Sequence, residues 1–140
     1  MYHIFHDIDI KASREDIYSM LISPDKLNIW WTVKSEGQAE VNGEYRFYFS
    51  EEYDWKAKVL EMSHGETLTY QMIKADSDWK DTLLSFEIIE KDREHHIVRF
   101  EHRQWRQVND HFRRSNYCWA LYLNDLKKYV EQKVISASDC

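Results

Sequence analysis

Residues 109–134, NDHFRRSNYCWALYLNDLKKYVEQKV, carry the one long helical pattern in the chain, and that pattern restricts the folds available to it. Trp119, Tyr122, Leu123, Leu126 and Val130 recur at three- and four-residue steps, which predicts an amphipathic helix with a single apolar stripe. Asn109 stands where an N-cap belongs. At ~1.5 Å per residue such a helix is about 35 Å long, enough to cross a whole sheet. A stripe of that length has to be covered. With no second long helix to cover it, the partner must be a β-sheet.

The preceding residues supply the sheet. HIFHDIDI alternates, with Ile4, His6, Ile8 and Ile10 on one face, and predicts an opening strand. Ser13, followed three residues later by Asp16, is a capping-box pattern that opens a helix. Ser23 and Pro24 restart the helical pattern, because proline suits the first helical position. From Thr32 the period changes. Asn42-Gly43 signals a type I′ hairpin turn, after which Tyr45, Phe47 and Phe49 share one strand face, with Arg46 and Tyr48 on the other. Two more runs meet around His64-Gly65, and TLLSFEIIE pairs with HHIVRFEHRQW across the polar turn KDREH. Six strands joined by short turns predict an antiparallel meander. The expectation is an α+β domain over residues 1–135, ordered strand, two short helices, six strands and a long helix, with 136–140 as a frayed tail.

Charge and cysteine usage exclude several functions. The net charge of −6 opposes attraction to nucleic acid or acidic membranes. No apolar run is long enough to span a bilayer, and MYHIFHDIDI lacks the pattern of a secretory signal. Cys118 and Cys140 lack the paired spacing of a zinc knuckle or disulfide framework. The expectation is a cytoplasmic protein without cofactor, metal, nucleic-acid partner or membrane insertion.

Several segments resemble the START-like (SRPBCC) superfamily, and within it the branch named after the activator of the heat-shock-protein-90 ATPase. They are SREDIYSMLISPDKLNIWW with Trp30-Trp31, GEYRF at residues 43–47, VLE at 59–61, FEHRQW at 100–105 and WALYLNDLKKYVE at 119–131. The resemblance spans nearly the whole chain. It implies a helix-grip fold, a curved antiparallel sheet wrapped around the terminal helix, with an internal hydrophobic cavity and members that bind lipids, polyketides or other apolar molecules. Glycines usual in the family are replaced by Ala57, by Gln104 before Trp105, and by Cys118 before Trp119. The activator's separate chaperone-binding domain has no room in 140 residues, so the family name does not carry a chaperone partner with it. A homodimer is left open.

The candidate site follows from the inward faces of the predicted strands. Aromatic residues make up 15% of the chain, enough for Tyr45, Phe47, Tyr70, Phe86, Trp105, Trp119 and Tyr122 to line one cavity, together with Phe49 and Met72. An empty apolar void of ~300 Å³ would cost about 7 kcal/mol at roughly 24 cal/mol per Å³, so the interior holds either a ligand or packed rings. His102 shares its strand face with Val98 and Phe100 and points inward, as a hydrogen-bonded structural residue or a general base. No G-x-S-x-G pattern supplies a nucleophile beside it. His95-His96 points weakly to metal. Arg103, Arg106, Arg113 and Arg114 lead into the long helix, where an acidic group on an apolar ligand finds donors.

The reading is a small-molecule binding protein, with Trp30 or Trp31 at the mouth and His102 and Arg106 as polar recognition. An enzyme of the same fold and a chaperone-linked interaction module are the alternatives. Adjacent side chains point in different directions on helix and strand alike. Trp30 and Trp31 are therefore expected to be unequally buried and to mark the entrance.

Overall fold

The computed structural model describes the backbone of residues 1–138 and the side chains through residue 132. Strand β1 (Tyr2–Ile10) is followed by helices α1 (Arg14–Ile22) and α2 (Pro24–Trp30). Six strands come next: β2 (Lys34–Gly37), β3 (Glu44–Tyr48), β4 (Asp54–Ser63), β5 (Thr67–Lys74), β6 (Leu83–Asp92) and β7 (His95–Trp105). Helix α3 (Asp110–Ser138) closes the chain. The tail expected from Ser136 falls partly on α3, and residues 139 and 140 lie outside the described residues.

The seven strands form one antiparallel sheet in the order β1-β7-β6-β5-β4-β3-β2. β1 and β2 thus occupy opposite edges, so α1 and α2 must carry the chain from one edge to the other. That obligation places them across one end of the groove that α3 fills. On α3 the expected stripe is inward, with Trp119, Leu123, Leu126 and Val130 buried and Tyr122 half-buried. Full burial of such side chains stabilises by roughly 1.5–3 kcal/mol each, which is why tertiary packing rather than helix propensity holds α3 in place.

The helix starts form as the sequence predicts, with one exception. The Ser13 hydroxyl accepts from Asp16 N at 3.2 Å, and Asn109 Oδ1 accepts from Phe112 N at 2.9 Å. Ser23 occupies the N-cap of α2 with Pro24 behind it, but its side chain makes no capping bond.

Two turns involve local corrections. Asn42-Gly43 is not a type I′ turn, because Asn42 is left-handed (φ 68°) while Gly43 is not. The pair instead extends the β3–β4 ladder, with Asn42 N and Gly43 O bonded to Val59 at 2.8 and 2.9 Å. β2 reaches β3 through the wider loop 38–43. Gly43 is needed there for space, since a Cβ would lie 2.2 Å from the Gln38 carbonyl oxygen. At the end of β7, Gln104 holds φ 72°, a left-handed backbone that glycine adopts freely and other residues adopt at a cost.

Candidate functional site

Three of the interior rings have their polar tips on backbone carbonyls. Helix α1 ends with orphan carbonyls, as every helix does. Trp30 Nε1 donates to Met20 O at 2.8 Å, Tyr70 Oη to Leu21 O at 2.8 Å and Tyr45 Oη to Ile22 O at 2.6 Å. Three aromatic residues thereby cap one helix and tie it to the sheet. Burial pushes the Tyr70 phenol well above its ordinary value and raises Tyr45 too, so both remain neutral donors.

His102 belongs to a second buried chain. Indole is only a donor, so Trp119 Nε1–H must donate to His102 Nδ1, at 3.1 Å. That leaves the imidazole proton on Nε2, which donates to Thr82 Oγ1 at 2.8 Å; Thr82 in turn donates to Trp79 O at 2.5 Å. Burial pushes His102 down to about 3, which keeps the ring neutral. Both nitrogens are engaged, so His102 is a structural histidine without a lone pair for substrate. Of the two roles open to it, the hydrogen-bonded one is realised.

Trp30 and Trp31 are both deeply buried, at 3% and 6% exposure, which overturns the expected inequality. The reason is local. Trp31 is the C-cap of α2 and leaves the helix with φ −132° and ψ −65°, so the helical offset between neighbours no longer applies. Both rings turn inward and stack at 6.0 Å. What separates them is the surface each faces: Trp30 packs edge-on against Phe86, while Trp31 packs against Trp119 at 5.3 Å and faces a cleft.

That cleft, about 280 Å³, lies where the sheet and the first turns of α3 diverge. Phe49, Tyr53 and Trp55 line it from the β3–β4 connection and the start of β4, and Asp76 and Trp79 from the loop between β5 and β6. From α3 come His111, Arg114, Ser115, Cys118, Trp119 and Tyr122. Trp79 bridges the cleft wall to the core, 4.8 Å from Trp55 and 5.9 Å from Trp119 between ring centres, with its Nε1 on Ser115 Oγ at 3.2 Å. The 75–82 loop is strapped to α3 by Asp78, which accepts from Asn109 Nδ2 at 3.2 Å and lies 3.1 Å from His111 Nδ1.

Of the residues expected to line a cavity, the structure brings Trp31, Trp119 and Tyr122 together at the cleft, with Phe49. Trp30, Tyr45, Phe47, Tyr70, Phe86, His102 and Trp105 are packed in the core away from it. Arg106 has a different task from the one expected: its guanidinium donates to Ser77 O at 2.6 Å and Lys80 O at 3.3 Å, fastening the same loop. Trp55, Trp79 and Tyr53 escaped the sequence reading. Trp79 carried a usable signal, a large ring within the polar run ADSDWKDT, where a solvated loop would not place one. His95 and His96 belong to no group of metal-ligating side chains among the described residues, and His96 Nδ1 bonds Ala12 O at 2.9 Å. No helix among the described residues is long and apolar enough to cross a membrane.

Residues 11–131 match the family model described as activator of Hsp90 ATPase homolog 1-like protein. Among solved structures, the Aha1 dimer from Colwellia psychrerythraea is 32% identical, covers 94% of this chain and 97% of its own, and superposes with a TM-score of 0.84. A protein from Mesorhizobium loti shares 14% identity over 94% of this chain and 98% of its own, at a TM-score of 0.83. CalU16 from Micromonospora echinospora shares 14% over 98% and 81%, at 0.75. The last two likenesses show the fold alone. Among curated protein sequences, none matches this chain significantly.

Proposed function

Because the chain belongs to the activator of Hsp90 ATPase homolog 1-like family, we propose that it binds a small, largely apolar molecule in the cleft between the sheet and α3. One observation carries this reading. The deep interior is filled by packed rings, whereas seven aromatic side chains surround about 280 Å³ of open space at one end. A cleft of that size lined by aromatic faces and a few polar groups has the composition of a small-molecule site. Binding rather than turnover is the leading role, since the inward histidine has no free nitrogen.

The test is to fill the cleft. Cys118 is a half-exposed lining residue, so Cys118→Trp adds an indole there without entering the core. Wild-type protein should carry a co-purifying small molecule in native mass spectrometry, or bind the neutral dye Nile red with tryptophan quenching. The variant should lose both at an unchanged melting temperature. Equal binding by the folded variant would move the site elsewhere.

A second reading, catalysis, rests on His111. This ring lines the cleft with Asp78 on Nδ1, and its Nε2 makes no hydrogen bond among the described residues. If the protein turns over its ligand, His111→Gln should abolish turnover and spare binding. The relative from Colwellia psychrerythraea was solved as a dimer, which supports a homodimer here as well; sedimentation of this protein tests it directly.

A further inference from the structure

The cleft contains two charged groups that the rest of the protein leaves unused. Arg114 lines it from α3 and makes no hydrogen bond or ion pair among the described residues. Asp76 lines it from the β5–β6 loop, and its carboxylate likewise has no partner among them; only its backbone oxygen is engaged, by Trp79 N and Lys80 N at 2.9 Å. Of the other polar groups nearby, His111 Nδ1 lies 3.1 Å from an Asp78 carboxylate oxygen and Arg106 donates to loop carbonyls. His111, Arg114, Ser115, Cys118 and Tyr122 recur at three- and four-residue steps, so Arg114 stands on the stripe of α3 that faces the rings.

Resting on the reading of the cleft as a ligand site, we infer that Arg114 anchors an anionic group and that the occupant is a planar aromatic acid with a hydroxyl or N–H donor facing Asp76. Three features select this class. Four indoles, Trp31, Trp55, Trp79 and Trp119, are among the lining residues, a composition that suits a flat ring system. The volume of about 280 Å³ lies at the small end of small-molecule sites and suits two or three fused rings. The two charges stand on different elements of the lining, Arg114 on α3 and Asp76 on the β5–β6 loop, so an anionic group and a donor on one flat molecule each find a partner. An acid therefore gains a charge-assisted pair with Arg114.

The inference is tested with three matched probes: 3-hydroxy-2-naphthoate, neutral 2-naphthol and the cation 2-(aminomethyl)naphthalene. Binding is read by tryptophan quenching and by protection of Cys118 from iodoacetamide, mapped by mass spectrometry. The acid should bind at least about tenfold tighter than the neutral probe, as expected for one charge-assisted contact. Arg114→Gln should reduce the acid to the level of 2-naphthol and leave 2-naphthol unchanged, while Arg106→Gln should preserve the acid's preference. An acid preference that survives Arg114→Gln, or tighter binding of the cation, overturns the inference and leaves the cleft standing as a site. Failure of all three probes to bind or to protect Cys118 overturns the cleft reading and this inference with it.

Discussion

Acidification should unfold this protein earlier than its carboxylates require, and His102 is the reason. The unfolded ring titrates near 6.5 and the folded one at about 3, so between those values the unfolded state binds a proton that the folded state refuses. Stability is therefore complete above pH 6.5 and falls as pH drops toward 3. At about 1.36 kcal/mol per unit, the loss is about 2 kcal/mol by pH 5 and about 5 kcal/mol across the whole window. His102 is almost wholly buried, so solvent screening does not reduce this figure much. The carboxylates held low by cations, Asp7 by Arg99 and Asp54 by Arg46, titrate below their ordinary value of 3.8 and leave pH 5–6.5 undisturbed. Urea unfolding followed by tryptophan fluorescence at pH 7, 6 and 5 measures the slope. His102→Gln retains a donor and an acceptor without a titrating ring, so it should flatten that slope while lowering stability at pH 7. A wild-type loss under about 0.5 kcal/mol between pH 6.5 and 5, or an equal slope in the variant, would refute the reasoning.

Three other substitutions probe particular contacts. Trp119→Phe keeps a ring against Phe100 but removes the donor to His102 Nδ1; it should cost about 2–4 kcal/mol in urea titrations, and a cost below about 1 would mean the bond is not made. Gln104→Gly relieves a left-handed backbone and should raise stability by ~0.5–1 kcal/mol after the entropy of glycine is subtracted, visible as a higher melting temperature. Gly43→Ala drives a methyl into the Gln38 carbonyl and should lower stability by about 1–3 kcal/mol, whereas a neutral result would show that loop 38–43 yields easily.

Most of the fold was legible because it is written in local periods. Alternation in residues 3–10 and in the six later runs, and the three-four spacing of Trp119 to Val130, each state which face is inward before any partner is known. Caps at Ser13 and Asn109 are equally local, since the side chain and the amide it serves are three residues apart. Turn chemistry was legible only in part. Asn42-Gly43 marked a reversal of direction, but the crowding at the Gln38 carbonyl, and not the need for two positive φ angles, fixed the glycine.

The site was less legible because inward-facing does not mean cavity-lining. Tyr45, Tyr70 and Trp30 face inward as predicted, yet their polar tips are taken by the carbonyls of Met20, Leu21 and Ile22, groups 10 to 49 residues away in sequence. Arg106 and Arg114 lie in one basic run, and nothing in their spacing distinguishes a loop fastener from an unpaired cation facing the rings. The sequence by itself determined the element order, the inward faces and the family. The tertiary structure decided which rings close the core and which leave a cleft, because that depends on how far a curved sheet departs from a straight helix. Trp30 and Trp31 show the difference: adjacency in the chain implied unequal burial, and the departure from helical backbone at Trp31 buried both.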